Sequence, residues 1–229
     1  MKALIFVAAI LLANGAVAAE TIVELFDGKS LAGWENVDGQ PVTSGWRVED
    51  GTLFRSERSG PLYAVGQYAN FELRFEWKIA PGGNSGVKYR MAYYPKGIWG
   101  TPAWLGCEYQ LYDDRGAPPT SPTQTAGALY GIYEPNTKKK LKPIDEFNAS
   151  KIVCDGPKIE HWLNGELIVR ADTNSDEWKK RVAASKFGRA DHFFENLTGR
   201  IQLQDYGHDV WFRNITLRVL DSKRVHETK

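Results

Sequence analysis

Phe71-Glu72-Leu73-Arg74-Phe75-Glu76-Trp77-Lys78-Ile79 is the stretch whose reading decides the fold. Successive side chains of an extended chain point to opposite faces, so the pattern puts Phe71, Leu73, Phe75, Trp77 and Ile79 on one dry face and four charged residues on the other. A helix would scatter both sets around its surface. Turn chemistry agrees with strands. Asp50-Gly51 joins Gly45–Glu49 to Thr52–Arg55, and Asn164-Gly165 joins Lys158–Leu163 to Glu166–Arg170. Such pairs tolerate the positive φ angles of tight hairpins. Asp155-Gly156 turns Ser150–Cys154 into the first strand of that second hairpin. Only Asp176–Ser185 reads as helix, with Ser175 or Asp176 as cap and no Gly or Pro inside. These elements predict an all-β, two-sheet antiparallel sandwich of roughly a dozen strands with one short helix.

Working outward, Tyr93–Trp104 and Gly116–Thr125 mix Pro with Gly and Thr and read as long surface loops, where binding sites are commonly built. Lys138-Lys139-Lys140 with Lys142 reads as a solvated loop tip. The chain has 229 residues, 29 Lys and Arg against 28 Asp and Glu, and a formal net charge of +1. That balance lacks the basic excess nucleic-acid binding requires, so no nucleic-acid partner is expected. Eight Trp, ten Tyr and ten Phe against two Met fit aromatic strands better than helices.

The N-terminal MKALIFVAAILLANGAVAA has one early Lys, an apolar run from Ala3 to Leu12 and small residues before position 20. It reads as a signal peptide over residues 1–19 and predicts a periplasmic or secreted protein, with no membrane partner after cleavage. Residues 20–229 then form one domain. Cys107 and Cys154 are either a disulfide or two small buried side chains, and spacing leaves both readings open.

Polar residues alternating with apolar ones on a sandwich strand face outward. In Cys107–Tyr112 this places Glu108, Gln110 and Tyr112 side by side, a combination suited to hydroxyl-rich ligands. Asn84–Arg90 presents Lys88 and Arg90 on such a face, and Arg200–His208 presents Gln202, Gln204 and Tyr206. His161 and His208 are the histidines expected near a site. No phosphate loop, HExxH, Cys-rich metal motif or Ser/His/Asp signature is present. Glu108-x-Gln110-x-x-Asp113 is similar to the E-x-D-x-x-E strand of jelly-roll glucanases, whose two Glu work in a retaining mechanism. Here Gln and the shorter Asp replace the second and third acids.

Taken together, several stretches resemble the 3-keto-disaccharide hydrolase family. They are Leu25–Trp34, Trp46–Leu53, Asn84-Ser85-Gly86-Val87 with Arg90, Glu108–Asp113, Thr125–Tyr130, His161–Gly165, and Gly199–Gly207 leading to Val210–Ile215. The similarity runs from about Glu24 to Leu220. It implies a concanavalin A-like jelly roll and a small-molecule carbohydrate substrate already oxidised at carbon 3. It further implies Glu108 as catalytic acid/base, Asn84 and Arg90 on the ketone or neighbouring hydroxyls, and Gln110 and Gln204 orienting the ring, with Lys88 and Tyr206 beside them. The family commonly carries His where this chain has Tyr206, which makes His208, two residues on, the second catalytic candidate. No cofactor is required by the sequence, and a divalent cation such as calcium near Glu108 and His208 stays open. A non-catalytic glycan-binding module of the same fold is the alternative expectation, with the retaining glucanase behind it.

Overall fold

The computed structural model describes residues 21–116 and 118–220. The expected signal peptide and His226 lie outside them. The strands are β1 (Ile22–Glu24), β2 (Trp34–Glu35), β3 (Trp46–Glu49), β4 (Thr52–Arg55), β5 (Leu62–Ala64), β6 (Phe71–Ile79) and β7 (Asn84–Tyr94). They continue with β8 (Ala103–Tyr112), β9 (Asn148–Asp155), β10 (Lys158–Leu163) and β11 (Glu166–Asp172). Helix α1 (Asp176–Ala184) and a 3-10 turn at Lys186–Arg189 precede β12 (Arg200–Leu203) and β13 (Val210–Val219).

One antiparallel sheet runs β11-β10-β9-β6-β13-β4-β3, with β1 also on β13, and the other runs β2-β5-β12-β7-β8. This is a two-sheet jelly-roll sandwich. The decisive stretch is β6, paired on both sides by β9 and β13. Its odd side chains meet the second sheet as expected: Phe71 packs edge-on against Tyr89 at 6.4 Å and Phe75 against Tyr109 at 5.6 Å. Both Asp50-Gly51 and Asn164-Gly165 take positive φ at both positions. Ser175 caps α1 by accepting the Trp178 N–H. Cys107 and Cys154 are free thiols, both buried in the shared core.

Two expectations are corrected by strand geometry. Tyr93–Trp104 is not a loop throughout: β7 runs to Tyr94 and β8 begins at Ala103, so Tyr93 and Trp104 are direct cross-strand partners. Arg90 does not share a face with Lys88, because the β7–β8 ladder shifts register between Tyr89 and Ala92. An extra residue at a bulge reverses the parity of every side chain beyond it. Arg90 sits there at φ +48° with its side chain fully buried. Its guanidinium donates to the Ala69 carbonyl at 2.9 Å and the Gly156 carbonyl at 2.9 Å. The bulge is closely covered: a Cβ on Gly199 would stand 2.4 Å from the Arg90 carbonyl carbon. Arg90 therefore ties loops of the two sheets together and faces no substrate.

Candidate active site

Antiparallel register aligns one row of side chains across the outer face of the five-stranded sheet. Tyr63 on β5 pairs with Gln202 on β12, Gln202 with Lys88 on β7, and Lys88 with Glu108 on β8. Directly paired residues share a face. Gln202 Nε2 donates to the Tyr63 hydroxyl at 2.6 Å, and Lys88 Nζ lies 3.8 Å from Glu108 Oε2. In the next row Gly86 opposes Gln110, whose amide donates to Asn84 Oδ1 at 3.2 Å. Gly86 provides the space under the carboxyl: a Cβ there would stand 2.2 Å from Glu108 Oε1.

Two groups from distant sequence complete the surroundings of Glu108. The stretch Gly127–Tyr130 lies along the outer edge of β8, with the Tyr130 N–H donating to the Glu108 carbonyl at 3.0 Å and the Gly127 N–H to the Gln110 carbonyl at 2.8 Å. Lys186, first residue of the 3-10 turn after α1, brings its ammonium within 4.5 Å of the Tyr130 ring centroid and into electrostatic reach of Glu108. Burial pushes the Glu108 carboxyl above its ordinary range, against the opposing pull of Lys88 and Lys186. Burial likewise lowers the Lys186 ammonium, with Lys88 adding to the lowering and Glu108 opposing it. Desolvation outweighs attraction at both groups. The carboxyl and the ammonium are thereby brought closer in proton affinity. The Tyr130 phenol is held above its usual value by burial and by the charge of Glu108, so it remains a donor.

At the same end of the sheet, the Gln204 N–H donates to the Gly86 carbonyl at 2.9 Å. Gln204 Oε1 and His208 Nδ1 are buried and have no hydrogen-bond partner among the described residues. Native proteins rarely leave such atoms idle, and a polar ligand is an obvious complement. Tyr206 is exposed and stacks on His208 at 6.4 Å. Asp205 positions this loop. It accepts from Arg55 Nε at 2.8 Å and from the Ser59 and Gly60 N–H groups at 2.8 and 2.9 Å.

Toward the other end, the outer face becomes aromatic. Arg200, ion-paired with Glu35, lies 4.4 Å over the Tyr63 ring and 5.9 Å over that of Trp104. Tyr93 meets Trp104 edge-on at 5.9 Å.

Of the predicted residues, Glu108, Lys88, Gln110, Asn84 and Gln204 share this face, and Tyr206 and His208 flank it. His161 does not join them. It is wholly buried between the sheets, with Nε2 2.8 Å from the Tyr89 hydroxyl and Nδ1 3.0 Å from the Gly127 carbonyl. Burial lowers its pKa to about 4, so it is neutral and anchors the stretch that carries Tyr130. Asp113 is spent on a turn, accepting from the Gly82 N–H at 2.8 Å and the Arg115 N–H at 3.1 Å. That commitment, with Gln110 on the strand, removes the second acid of a retaining glucanase. Among the described residues no three His, Cys, Asp or Glu side chains gather in a metal-binding group. Sequence reading missed Lys186, Tyr130, Tyr63 and Trp104. No local pattern marks the first two, which tertiary packing alone brings to Glu108.

Fold and site define a jelly-roll domain whose polar, aromatic-flanked face suits a hydroxyl-rich ligand. Comparison with known proteins agrees. Residues 21–218 match the 3-keto-alpha-glucoside-1,2-lyase-like domain family. A 3-keto-disaccharide hydrolase of Bacteroides thetaiotaomicron is 30% identical, over 89% of this chain and 80% of that protein. A crystal structure of a candidate glycosyl hydrolase from Parabacteroides distasonis superposes with TM-score 0.78 at 33% identity, covering 87% of this chain and 94% of the other. A second one from that organism gives 0.68 at 26% identity, over 87% of this chain and all of the other. The chain belongs to the 3-keto-alpha-glucoside-1,2-lyase-like family, a family of carbohydrate-acting enzymes.

Proposed function

We propose that this protein cleaves glycosides oxidised at carbon 3, by elimination followed by hydration, with Glu108 as the acid/base. The observation that carries this reading is a buried carboxyl held over Gly86 between two lysines, its proton affinity raised by burial. A ketone at C3 acidifies the C2 proton. Glu108 takes that proton, the C1–O bond breaks as the C1=C2 bond forms, and the departing oxygen is protonated to give the free alcohol. Water then adds across the double bond, so the net change is hydrolysis. Negative charge develops on the C3 oxygen as the proton leaves, and the ammonium groups of Lys88 and Lys186 are the donors that offset it. Tyr130 is the neutral donor beside the carboxyl. Asn84, Gln110 and Gln204 supply amides for the ring hydroxyls, and His208 offers its unpartnered nitrogen at the Gln204 end. The N-terminal leader pattern supports action outside the cytoplasm.

The test pairs a native glucoside with its 3-keto derivative, with and without chelator, for the wild-type protein and Glu108→Gln. The expected result is leaving-group release from the keto form alone, lost in Glu108→Gln while binding persists. Turnover of the 3-keto-glycoside by Glu108→Gln at the wild-type rate would remove Glu108 from the chemistry. Saturable binding without release by the wild-type protein would make the domain a glycan-binding module. The chelator arm reports whether a divalent ion takes part.

A further inference from the structure

We propose that the aromatic ledge formed by Trp104 and Tyr93, beside Arg200, is the subsite for the leaving group, and that it takes a neutral sugar ring. This rests on the reading of Glu108 as the reacting carboxyl and adds the direction in which the substrate lies. Trp104 and Glu108 are four residues apart on β8, so their side chains point to the same face about 13 Å apart along the strand. The outward position between them on that strand is Gly106, and the sulfur of Met91 on β7 takes the space a side chain there would fill, 2.8 Å from where its Cβ would stand.

The chemistry of the ledge selects its occupant. Arg200 is fixed by Glu35 on one side and by the rings of Tyr63 and Trp104 on the other. Its charge is balanced by Glu35, so the ledge gives an anionic leaving group no special attraction. What remains is a flat aromatic surface beside fixed N–H donors, matching a pyranose, which has an apolar C–H face and a rim of hydroxyls. Tyr93 is 55% exposed and Trp104 is partly exposed, so a ring has access to both. Trp99, 70% exposed, stands on the loop joining β7 to β8.

The experiment compares kcat/KM for a 3-keto-disaccharide with that for the corresponding methyl 3-keto-glycoside, whose leaving group is too small to reach the ledge. In Trp104→Ala the ratio of the two is expected to fall about tenfold, the scale of one truncated aromatic anchor. Tyr93→Ala, at an exposed position where folding is not at stake, is expected to lower the ratio in the same direction. An unchanged ratio in both variants, with wild-type cleavage of both substrates intact, overturns the subsite and leaves the role of Glu108 standing. Failure of the wild-type protein to cleave either 3-keto substrate, or cleavage unaffected by Glu108→Gln, overturns both.

Discussion

Replacing Gly86 by Ala tests the site through the space beneath its carboxyl. The added Cβ would lie 2.2 Å from Glu108 Oε1 and 2.8 Å from Cδ, whereas ordinary contact begins at 3.4 Å. The carboxyl must then retreat by about 1.2 Å, because repulsion at such distances far exceeds any contact energy nearby. The clash is with the far end of a side chain, and Gly86 is in a strand without positive φ, so the backbone accepts Ala. Stability should change little, with Tm within about 3 °C of wild type. Activity should not survive intact: a displacement of about 1 Å costs on the order of a hundredfold in rate, or about 2.7 kcal/mol of barrier. The assay is kcat on a 3-keto-glycoside for Gly86→Ala, Glu108→Ala and the double variant, with melting curves for each. Gly86→Ala should cost little further in the Glu108→Ala background, because the nearest atoms it meets belong to Glu108. A folded Gly86→Ala protein with wild-type kcat would refute the claim that catalysis needs the carboxyl at that place.

Three further outcomes follow from the electrostatics and the core. Glu108 holds its proton above the ordinary carboxylate value of 4.5, so kcat/KM should rise with pH through that higher folded-state value, while stability falls over the same window as the buried charge forms. Glu108→Gln should therefore melt at or above the wild-type temperature at pH 7, and a clearly lower melting temperature would contradict this. Asp205 has the opposite sign: burial raises it, but the N–H groups of Ser59 and Gly60 and the Arg55 charge hold it below 3.8. Its stabilisation is complete above that unfolded value and is lost as pH falls through the lower folded one. Asp205→Asn leaves buried Arg55 only the Asp209 carboxylate, 4.0 Å away, and should cost about 3 kcal/mol in denaturant unfolding, whereas a loss under 1 kcal/mol would show that Asp209 suffices. Burial raises the thiol of Cys107 well above its usual range and that of Cys154 to about 12. Ellman's reagent should meet almost no thiol in the native protein and two per chain in guanidinium, whereas none in guanidinium without reductant would reveal a disulfide.

Much of this architecture can be read from alternation because alternation is its physical cause. The face of Phe71–Ile79, the hairpins at Asp50-Gly51 and Asn164-Gly165, the helix after Ser175, and the outward Glu108 and Gln110 all depend on near neighbours in the chain. The parity rule breaks where one residue too many enters a strand. That is why Arg90, two residues from Lys88, ends inside the molecule, and why an aromatic pair at Tyr93 and Trp104 was hidden behind Pro95 and Pro102. Lys186 and Tyr130 carry no local mark of their role, because one reaches Glu108 after α1 and the other from a long excursion between β8 and β9. His161 looked like a site residue by its chemistry. Only the second sheet in front of it shows that its ring is fully enclosed.

The excursion that carries Tyr130 has a consequence for how copies of this protein meet. β8 is the last strand of its sheet, and a bare last strand offers a row of unused backbone donors and acceptors to any passing chain. Ala128 and its neighbours occupy that row, with Gln110 donating to Ala128 at 3.1 Å and Gly127 and Tyr130 donating back. The part of the strand around Glu108 and Gln110 is thereby covered against strand addition. One short segment both furnishes the phenol beside Glu108 and keeps neighbouring molecules from adding to that part of the edge.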